Sequence, residues 1–176
     1  MELYAELMSE YLKTAPDQAW LYAACDSNYD GNGQLIRWMI DQPECPQAAA
    51  LAVFWYSGAG YYGQFQSRDD VPSHGKDTYE FLHTLQGRLL AGFYRTTEMG
   101  FNPRNDPTPI GSLTKPGLDW TAEYGGAANV PEALKQAVPG SSLGVLEMPE
   151  GWVEGMPPEI YDRVEASYDE EDEGEE

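Results

Sequence analysis

The sequence is poor in residues that bind transition metals or form disulfides. Its 176 residues include two cysteines, Cys25 and Cys45, and two histidines, His74 and His83. Because no CxxC or HxxxH spacing joins them, we expect no zinc site. In a reducing compartment the two cysteines are expected to be buried thiols, while in an exported protein a single disulfide stays open as an alternative.

Long hydrophobic segments are also missing. The longest apolar run extends from Ala48 to Tyr56, which is too short to cross a bilayer. The chain begins MELYAELMSEYLK, with no basic region followed by a cleavable apolar stretch. We therefore expect no signal peptide and a cytoplasmic location.

Positive charge is scarce. The chain has 10 basic and 30 acidic residues, a net charge of −20. A chain this acidic repels nucleic acids and anionic membranes, and it attracts basic proteins over long distances. Because 41% of the residues are hydrophobic, a wholly disordered chain is excluded.

The distribution of charge and of helix-breaking residues divides the chain into three segments. Residues 1–101 are expected to form a helical bundle domain with a net charge of −7. Residues 102–164 are rich in glycine and proline, carry −5, and are expected to form an irregular extension with short helices. Residues 165–176 form an acidic tail of net charge −8, whose last eight residues are expected to be disordered in isolation.

Apolar periodicity in the first segment predicts a mainly α fold, a small helical bundle. Thr14 and Asp77 stand where they can cap helices, and the expected fourth helix is apolar nearly all round, which is typical of the centre of a bundle. The expected helices cover residues 3–12, about 16–25, 35–40, about 47–57 and about 77–97.

In the second segment, prolines predict where short elements begin. Pro131 and Pro158 suit the first turn of short helices. Residues 142–148 have the composition of a strand that pairs near Trp152.

One local motif resembles the first half of a calcium-binding loop. Asp26, Asn28 and Asp30 alternate before Gly31, but the twelfth position is Arg37, where such loops place a bidentate glutamate. These three residues are therefore weak metal candidates, and the favoured interpretation is an Asx-rich turn that caps the third helix.

No catalytic motif stands out, so no catalytic residue and no cofactor is assigned. Residues 58–63 fit the GxGxxG pattern, but they follow a helix, whereas a dinucleotide-binding loop follows a strand. We expect these glycines to end the helix and open a loop.

Aromatic residues lie beside acids in the second half of the chain. Rigid aromatic rings among carboxylates suit the recognition of arginine and lysine, although the same rings are equally suited to hold the extension on the bundle. The residues proposed for partner binding are Trp120, Glu123, Tyr124, Trp152, Glu154, Tyr161, Asp162, Tyr168 and Asp169.

Three segments together resemble a bacterial family known as domain of unknown function 4274. They are AWLYAACDSNYDG at residues 19–31, PECP at residues 43–46 and ALAVFWY at residues 50–56. The resemblance covers about residues 18–95, with Tyr29 at a position where the family usually has tryptophan. It implies a small helical domain and an association with bacterial toxin systems, and it implies no established activity.

These observations favour a non-enzymatic acidic binding protein. The leading hypothesis is an immunity or antitoxin-like protein that neutralises a basic toxin effector. One alternative is a DNA mimic that binds many nucleic-acid-binding proteins. Another is a hydrolase that uses a divalent metal at Asp26, Asn28 and Asp30. The sequence does not determine the oligomeric state.

Overall fold

Seven α-helices account for most of the regular structure in a computed structural model that describes residues 2–106, 108, 117–142 and 149–173, with side chains to residue 168. Within these residues there are isolated β-bridges and no strands. The helices are α1 (Leu3–Leu12), α2 (Asp17–Asp26), α3 (Gly33–Asp41), α4 (Gln47–Tyr56), α5 (Ala59–Tyr62), α6 (Lys76–Leu90) and α7 (Pro158–Glu173). The mainly α fold is therefore confirmed.

Helices α2 and α4 pack together at the centre of the bundle. Every residue of α2 from Ala19 to Cys25 is buried, and in α4 burial extends from Ala48 to Trp55. Alanine is frequent in both helices, and its small side chain lets the two backbones approach closely. The prediction that the fourth helix is buried nearly all round is correct.

The remaining helices surround this pair. Helix α1 packs on α3, α6 packs on α4, and α7 packs on α1. The amphipathic pattern of α3 predicts its buried side correctly, because Leu35, Ile36, Met39 and Ile40 are all buried. No helix in the described ranges is both long enough and apolar enough to span a membrane.

Residues 99–106 and 117–142 contribute to the same hydrophobic core, to which they supply Phe101, Ala127, Val130 and Leu134. Backbone bridges join Met99 to Ser141 and Phe101 to Val138. The buried Trp55 indole donates a hydrogen bond from Nε1 to the carbonyl oxygen of Leu134, at 3.0 Å. This bond ties α4 to the 3-10 helix Glu132–Lys135.

Helix α6 is shorter than predicted. The apolar spacing of Leu85 and Leu89 continues to Phe93, but the helix ends at Leu90 and Gly92 has a φ of +68°. Phe93 is consequently 38% exposed, and Tyr94 is buried in its place, with its hydroxyl donating to the carbonyl oxygen of Ile40 at 2.8 Å. Glycine just after a helix stops it more strongly than apolar periodicity extends it.

The predicted helix caps do not form. The Thr14 hydroxyl donates back to the carbonyl oxygen of Tyr11, and Pro16 occupies the N-cap of α2 without a side-chain bond. At α6 the N-cap is Gly75, so Asp77 lies inside the first turn, where its charge still favours the positive end of the helix dipole.

Two further predictions differ from the structure. Gly58 does end α4, with a φ of +89°, but the next residues form the one-turn helix α5 and not a loop. Helix α7 continues to Glu173, into the tail for which disorder was expected, because adding turns to a docked helix costs less than nucleating one. Most of the expected strand, residues 143–148, lies outside the described residues.

Buried tyrosine hydroxyls and a buried cysteine thiol are expected to make the fold less stable at alkaline pH. Burial raises the pKa of Tyr4 from 10.0 to about 12, and burial also raises the pKa of Tyr94 and of the Cys45 thiol. The folded state retains these protons while the unfolded state releases them. The stabilisation is therefore complete below the unfolded pKa values and declines as pH rises, with Tyr4 contributing a loss of about 2–3 kcal/mol between about pH 10 and 12.

Urea unfolding followed by circular dichroism at a series of pH values measures this decline. Tyr4→Phe should make the alkaline slope shallower, because it removes a buried hydroxyl whose pKa is raised. An unfolding free energy that stays constant from about pH 8 to 11 contradicts the prediction.

Candidate functional site

The aromatic and acidic residues proposed for partner binding separate into two groups. Trp120, Glu123 and Tyr124 lie against α5, where a Cβ at Gly60 would contact the Trp120 carbonyl oxygen at 3.4 Å and Tyr124 Cδ2 at 3.5 Å. The second group lies beside α1 and α2 and contains Trp152, Glu154, Tyr161, Asp162 and Tyr168. The Asp169 side chain lies outside the described residues.

Three of the five aromatic rings proposed for partner binding instead make contacts within the folded protein. The Trp120 indole donates from Nε1 to Asp106 at 3.0 Å. Trp152 packs edge-on against Tyr11 and Tyr22, with ring centroids at 6.1 and 5.1 Å. Tyr161 is half-buried against the hydrophobic core. These rings therefore hold the second half of the chain on the bundle.

The other two rings are available to a partner. Tyr124 is 57% exposed and Tyr168 is 60% exposed. Tyr124 contacts Tyr61 of α5 edge-on, with the centroids 5.5 Å apart, and its backbone has a φ of +47°. Glu123 beside it is exposed, as are Glu154 and Asp162 in the second group.

Exposed acids lie on α1 and α7, two helices that pack together, and we call this surface the α1–α7 face. Glu2, Glu6 and Glu10 are exposed along one side of α1. Among the α7 residues whose side chains the structure describes, the exposed acids are Glu159, Asp162 and Glu165. Lys13, which follows α1, is paired with Glu10, and Arg163 is the only basic residue of α7.

In the loop that resembles half of a calcium site, side-chain oxygens of Asn28 and Asp26 accept hydrogen bonds from backbone N–H groups of the protein. Asn28 Oδ1 accepts from the backbone N–H groups of Asp30 and Gly31 at 3.2 and 3.3 Å. Asp26 Oδ2 accepts from the Gly155 N–H at 3.0 Å, and burial raises the pKa of Asp26 above its usual value. The Asx turn is thus present, but it closes on itself and does not cap α3, whose N-cap Asn32 makes no side-chain cap bond.

The remaining potential metal ligands are also dispersed. Cys25 and Cys45 are buried thiols, and burial raises the pKa of both. His74 and His83 are exposed, and the His83 ring lies 4.2 Å from that of Tyr79. Within the described residues, no three histidine, cysteine, aspartate or glutamate side chains form a group that could hold a metal ion.

A second candidate surface is a cleft between α3 and α6, two helices that both pack on α4. One part has a volume of about 370 Å³ and is lined by aromatic rings from four different segments. An adjoining part of about 500 Å³ extends toward the C-terminal end of α3. The two parts share Arg37 and Phe81, and we call them together the α3–α6 cleft.

The aromatic walls of the cleft are fixed by bonds to the interior. The Tyr29 hydroxyl donates to the Ala24 carbonyl oxygen at 2.7 Å, and the Tyr56 hydroxyl donates to Asp106 at 2.7 Å. The two rings are stacked with centroids 5.9 Å apart. Tyr62 and Phe81 complete this wall.

Charged residues surround the cleft, and most of them are acidic. Arg37 lies across it, with Cζ 5.1 Å from the centre of the Phe81 ring. Asp41 is paired with Arg88, which also donates to the Ile40 carbonyl oxygen at 2.9 Å, and Glu80 is paired with Arg68. The acids that line the cleft are Asp30, Asp41, Asp77 and Glu80.

Sequence reasoning did not identify this cleft. In the sequence, Arg37 was notable only because it occupies the glutamate position of a calcium-binding loop. Phe81 and Tyr62 belong to no recognised motif. The amphipathic pattern of α3 does leave Arg37 on the exposed side, which is the one available signal. Its pairing with a ring 44 positions away becomes visible only in three dimensions.

Comparison with known proteins agrees with the resemblance found in the sequence. Residues 15–90 match the model of the family described as a domain of unknown function (DUF4274). No curated protein and no solved structure matches the chain. The expected range of about residues 18–95 is therefore confirmed within a few residues, and every residue that lines the α3–α6 cleft lies inside the matched range. Residues 15–90 of the chain are thus similar to the DUF4274 family.

Proposed function

We propose that this protein is a non-enzymatic acidic binding protein that neutralises a basic partner in the bacterial cytoplasm, in the manner of an immunity or antitoxin protein. The observation that supports this function most strongly is the α1–α7 face. There, acids on two packed helices are exposed, with Arg163 as the only basic residue of α7.

Electrostatics explains how such a face works. An excess of one charge accelerates the encounter with an oppositely charged protein, and the acceleration depends on ionic strength. A basic nuclease effector presents a cationic groove for its nucleic acid substrate, and an acidic protein that covers the groove blocks the substrate. Exposed rings such as Tyr168 and Tyr124 add contacts that slow dissociation.

Association kinetics with a panel of purified basic bacterial nucleases and unrelated basic DNA-binding proteins test the proposal. We expect tight binding and inhibition of one nuclease class. The association rate should fall by about tenfold or more as ionic strength rises from low to high salt. Binding to every basic protein in the panel favours a DNA mimic, and a rate that ignores salt contradicts both.

Matched charge variants locate the face. One variant neutralises Glu6, Asp162 and Glu165 with glutamine or asparagine. Its control changes the net charge by the same amount at three exposed acids elsewhere, which are Glu44, Asp69 and Glu98. The first variant should slow association several-fold more than the control. Equal effects would show that bulk charge, and not the α1–α7 face, guides the partner.

A further inference from the structure

A guanidinium group of the protein itself already lies on an aromatic surface in the α3–α6 cleft. Arg37 is exposed, and its Cζ is 5.1 Å from the centre of the Phe81 ring. Among the described residues Arg37 forms no ion pair. A cation held by a single half-buried ring is held weakly, so the guanidinium of Arg37 exchanges readily with solvent.

The surroundings of Phe81 suit a second cation. The rings of Tyr29, Tyr56 and Tyr62 line the same part of the cleft, whose volume of about 370 Å³ lies within the range of ligand pockets. Aromatic enclosures of this kind recognise cations through the negative faces of their rings. The hydroxyls of Tyr29 and Tyr56 are bonded to the interior, so these rings are held in place before a ligand arrives.

The charge at the rim is complementary to a cation. Asp41 and Glu80 are paired with Arg88 and Arg68. Asp30 and Asp77 are exposed and form no ion pair among the described residues. An incoming guanidinium therefore meets two carboxylates without a cationic partner at the edge of an aromatic wall.

We propose that the α3–α6 cleft receives an arginine side chain of the basic partner, which replaces Arg37 on Phe81. Arginine fits better than lysine because its planar group stacks on a ring while its N–H donors reach carboxylates at the rim. This inference rests on the proposed function and places a specific contact inside the region that matches the DUF4274 model, apart from the α1–α7 face that guides the encounter.

Calorimetric titration of the full chain with a six-residue peptide of alternating arginine and glycine tests the inference. A peptide with citrulline in place of arginine keeps the shape and removes the charge. Phe81→Leu leaves the net charge unchanged and should weaken the arginine peptide about tenfold. Phe93→Leu is the matched control, because Phe93 also lies under an arginine, Arg88, at 5.3 Å but outside the cleft.

Arg37→Gln provides a second test that does not depend on replacing an aromatic ring. Removing the resident guanidinium should tighten binding of the arginine peptide about three- to fivefold. Arg163→Gln changes the charge equally on α7, away from the cleft, and should have a smaller effect. Equal effects of Phe81→Leu and Phe93→Leu, equal gains for the two arginine variants, or equal binding of the citrulline peptide would each overturn the inference.

The same variants separate this inference from the proposed function. If a nuclease of the panel binds and Phe81→Leu leaves its affinity unchanged, the function stands and the cleft contact is wrong. If no basic protein binds while the arginine peptide binds in a Phe81-dependent way, the cleft contact stands and the neutralising function fails.

Discussion

Replacing Asp106 with alanine is expected to lower the free energy of unfolding by about 3–5 kcal/mol, because each buried donor left without an acceptor costs about 1–3 kcal/mol. Asp106 is 2% exposed, and no described lysine or arginine forms an ion pair with it. Its Oδ2 accepts from the Tyr56 hydroxyl at 2.7 Å and from Trp120 Nε1 at 3.0 Å, and its Oδ1 accepts from the Thr108 N–H at 2.9 Å. Alanine removes the acceptor of all three buried or half-buried donors at once.

Two comparisons isolate the effect of these hydrogen bonds. Asp106→Asn keeps one acceptor oxygen and should lose only about 1–2 kcal/mol, whereas Asp69→Ala, at an exposed aspartate, should change stability by less than about 0.5 kcal/mol. Urea unfolding followed by circular dichroism gives the free energies. If Asp106→Ala and Asp69→Ala have the same midpoint, Asp106 does not link α4 to the Trp120 segment.

The carboxylate of Asp106 connects stability with the α3–α6 cleft and with the segment that carries the exposed Tyr124. Tyr56 forms part of the wall of the α3–α6 cleft, and Trp120 precedes the exposed Tyr124. Asp106→Ala should therefore also loosen the cleft and weaken the arginine peptide. This loss should accompany the loss of stability, while Phe81→Leu should weaken the peptide without destabilising the α4 connection.

The helices of the bundle are predictable from sequence because their information is local. Apolar spacing of three and four residues places α1 and α3 accurately, and an uninterrupted apolar run identifies α4. The error at α6 arose where two local signals conflict, since Phe93 continues the apolar spacing and Gly92 interrupts it. A positive φ of +68° at Gly92 decides the conflict in favour of the glycine.

The roles of the aromatic residues were not predictable, because they depend on contacts between distant parts of the chain. Trp152 packs against Tyr11 and Tyr22, more than a hundred positions away, and Trp120 is fixed by Asp106. Sequence neighbours that are acidic do not reveal whether a ring turns toward solvent or toward the bundle. The exposed Tyr124 and Tyr168 have the same kind of neighbours as the half-buried Tyr161.

The cleft was missed for the same physical reason. Its walls come from the loop before α3, the end of α4, helix α5 and the first half of α6, and none of these segments is unusual alone. The feature that matters is a gap between two helices that share a neighbour and leave aromatic side chains along it. Periodicity reports which side of a helix is buried, and it does not report where two partly exposed sides face each other.

Replacing Gly155 with alanine should have an effect as large as that of Asp106→Ala, by a different mechanism. Gly155 has a φ of +76°, and a Cβ there would lie 2.8 Å from Ala23 Cα and 2.9 Å from the Tyr22 carbonyl oxygen. Since both are backbone atoms of the central helix α2, neither can move aside cheaply. We expect a loss of about 3–5 kcal/mol from strain and overpacking together, with release of the Asp26 bond to the Gly155 N–H.

Gly125 offers a matched control for this substitution. It has the same φ of +76°, but a Cβ there would meet nothing within 4 Å. Gly125→Ala should therefore cost only the backbone strain, about 1–2 kcal/mol, and the difference between the two variants measures the close approach of Gly155 to α2. Hydrogen exchange should show faster exchange of the α7 amides in Gly155→Ala alone, because Met156, Ile160 and Val164 are buried directly after this contact. If both variants lose the same stability and α7 stays equally protected, the Gly155 contact does not hold α7, and with it the acidic α1–α7 face, on the bundle.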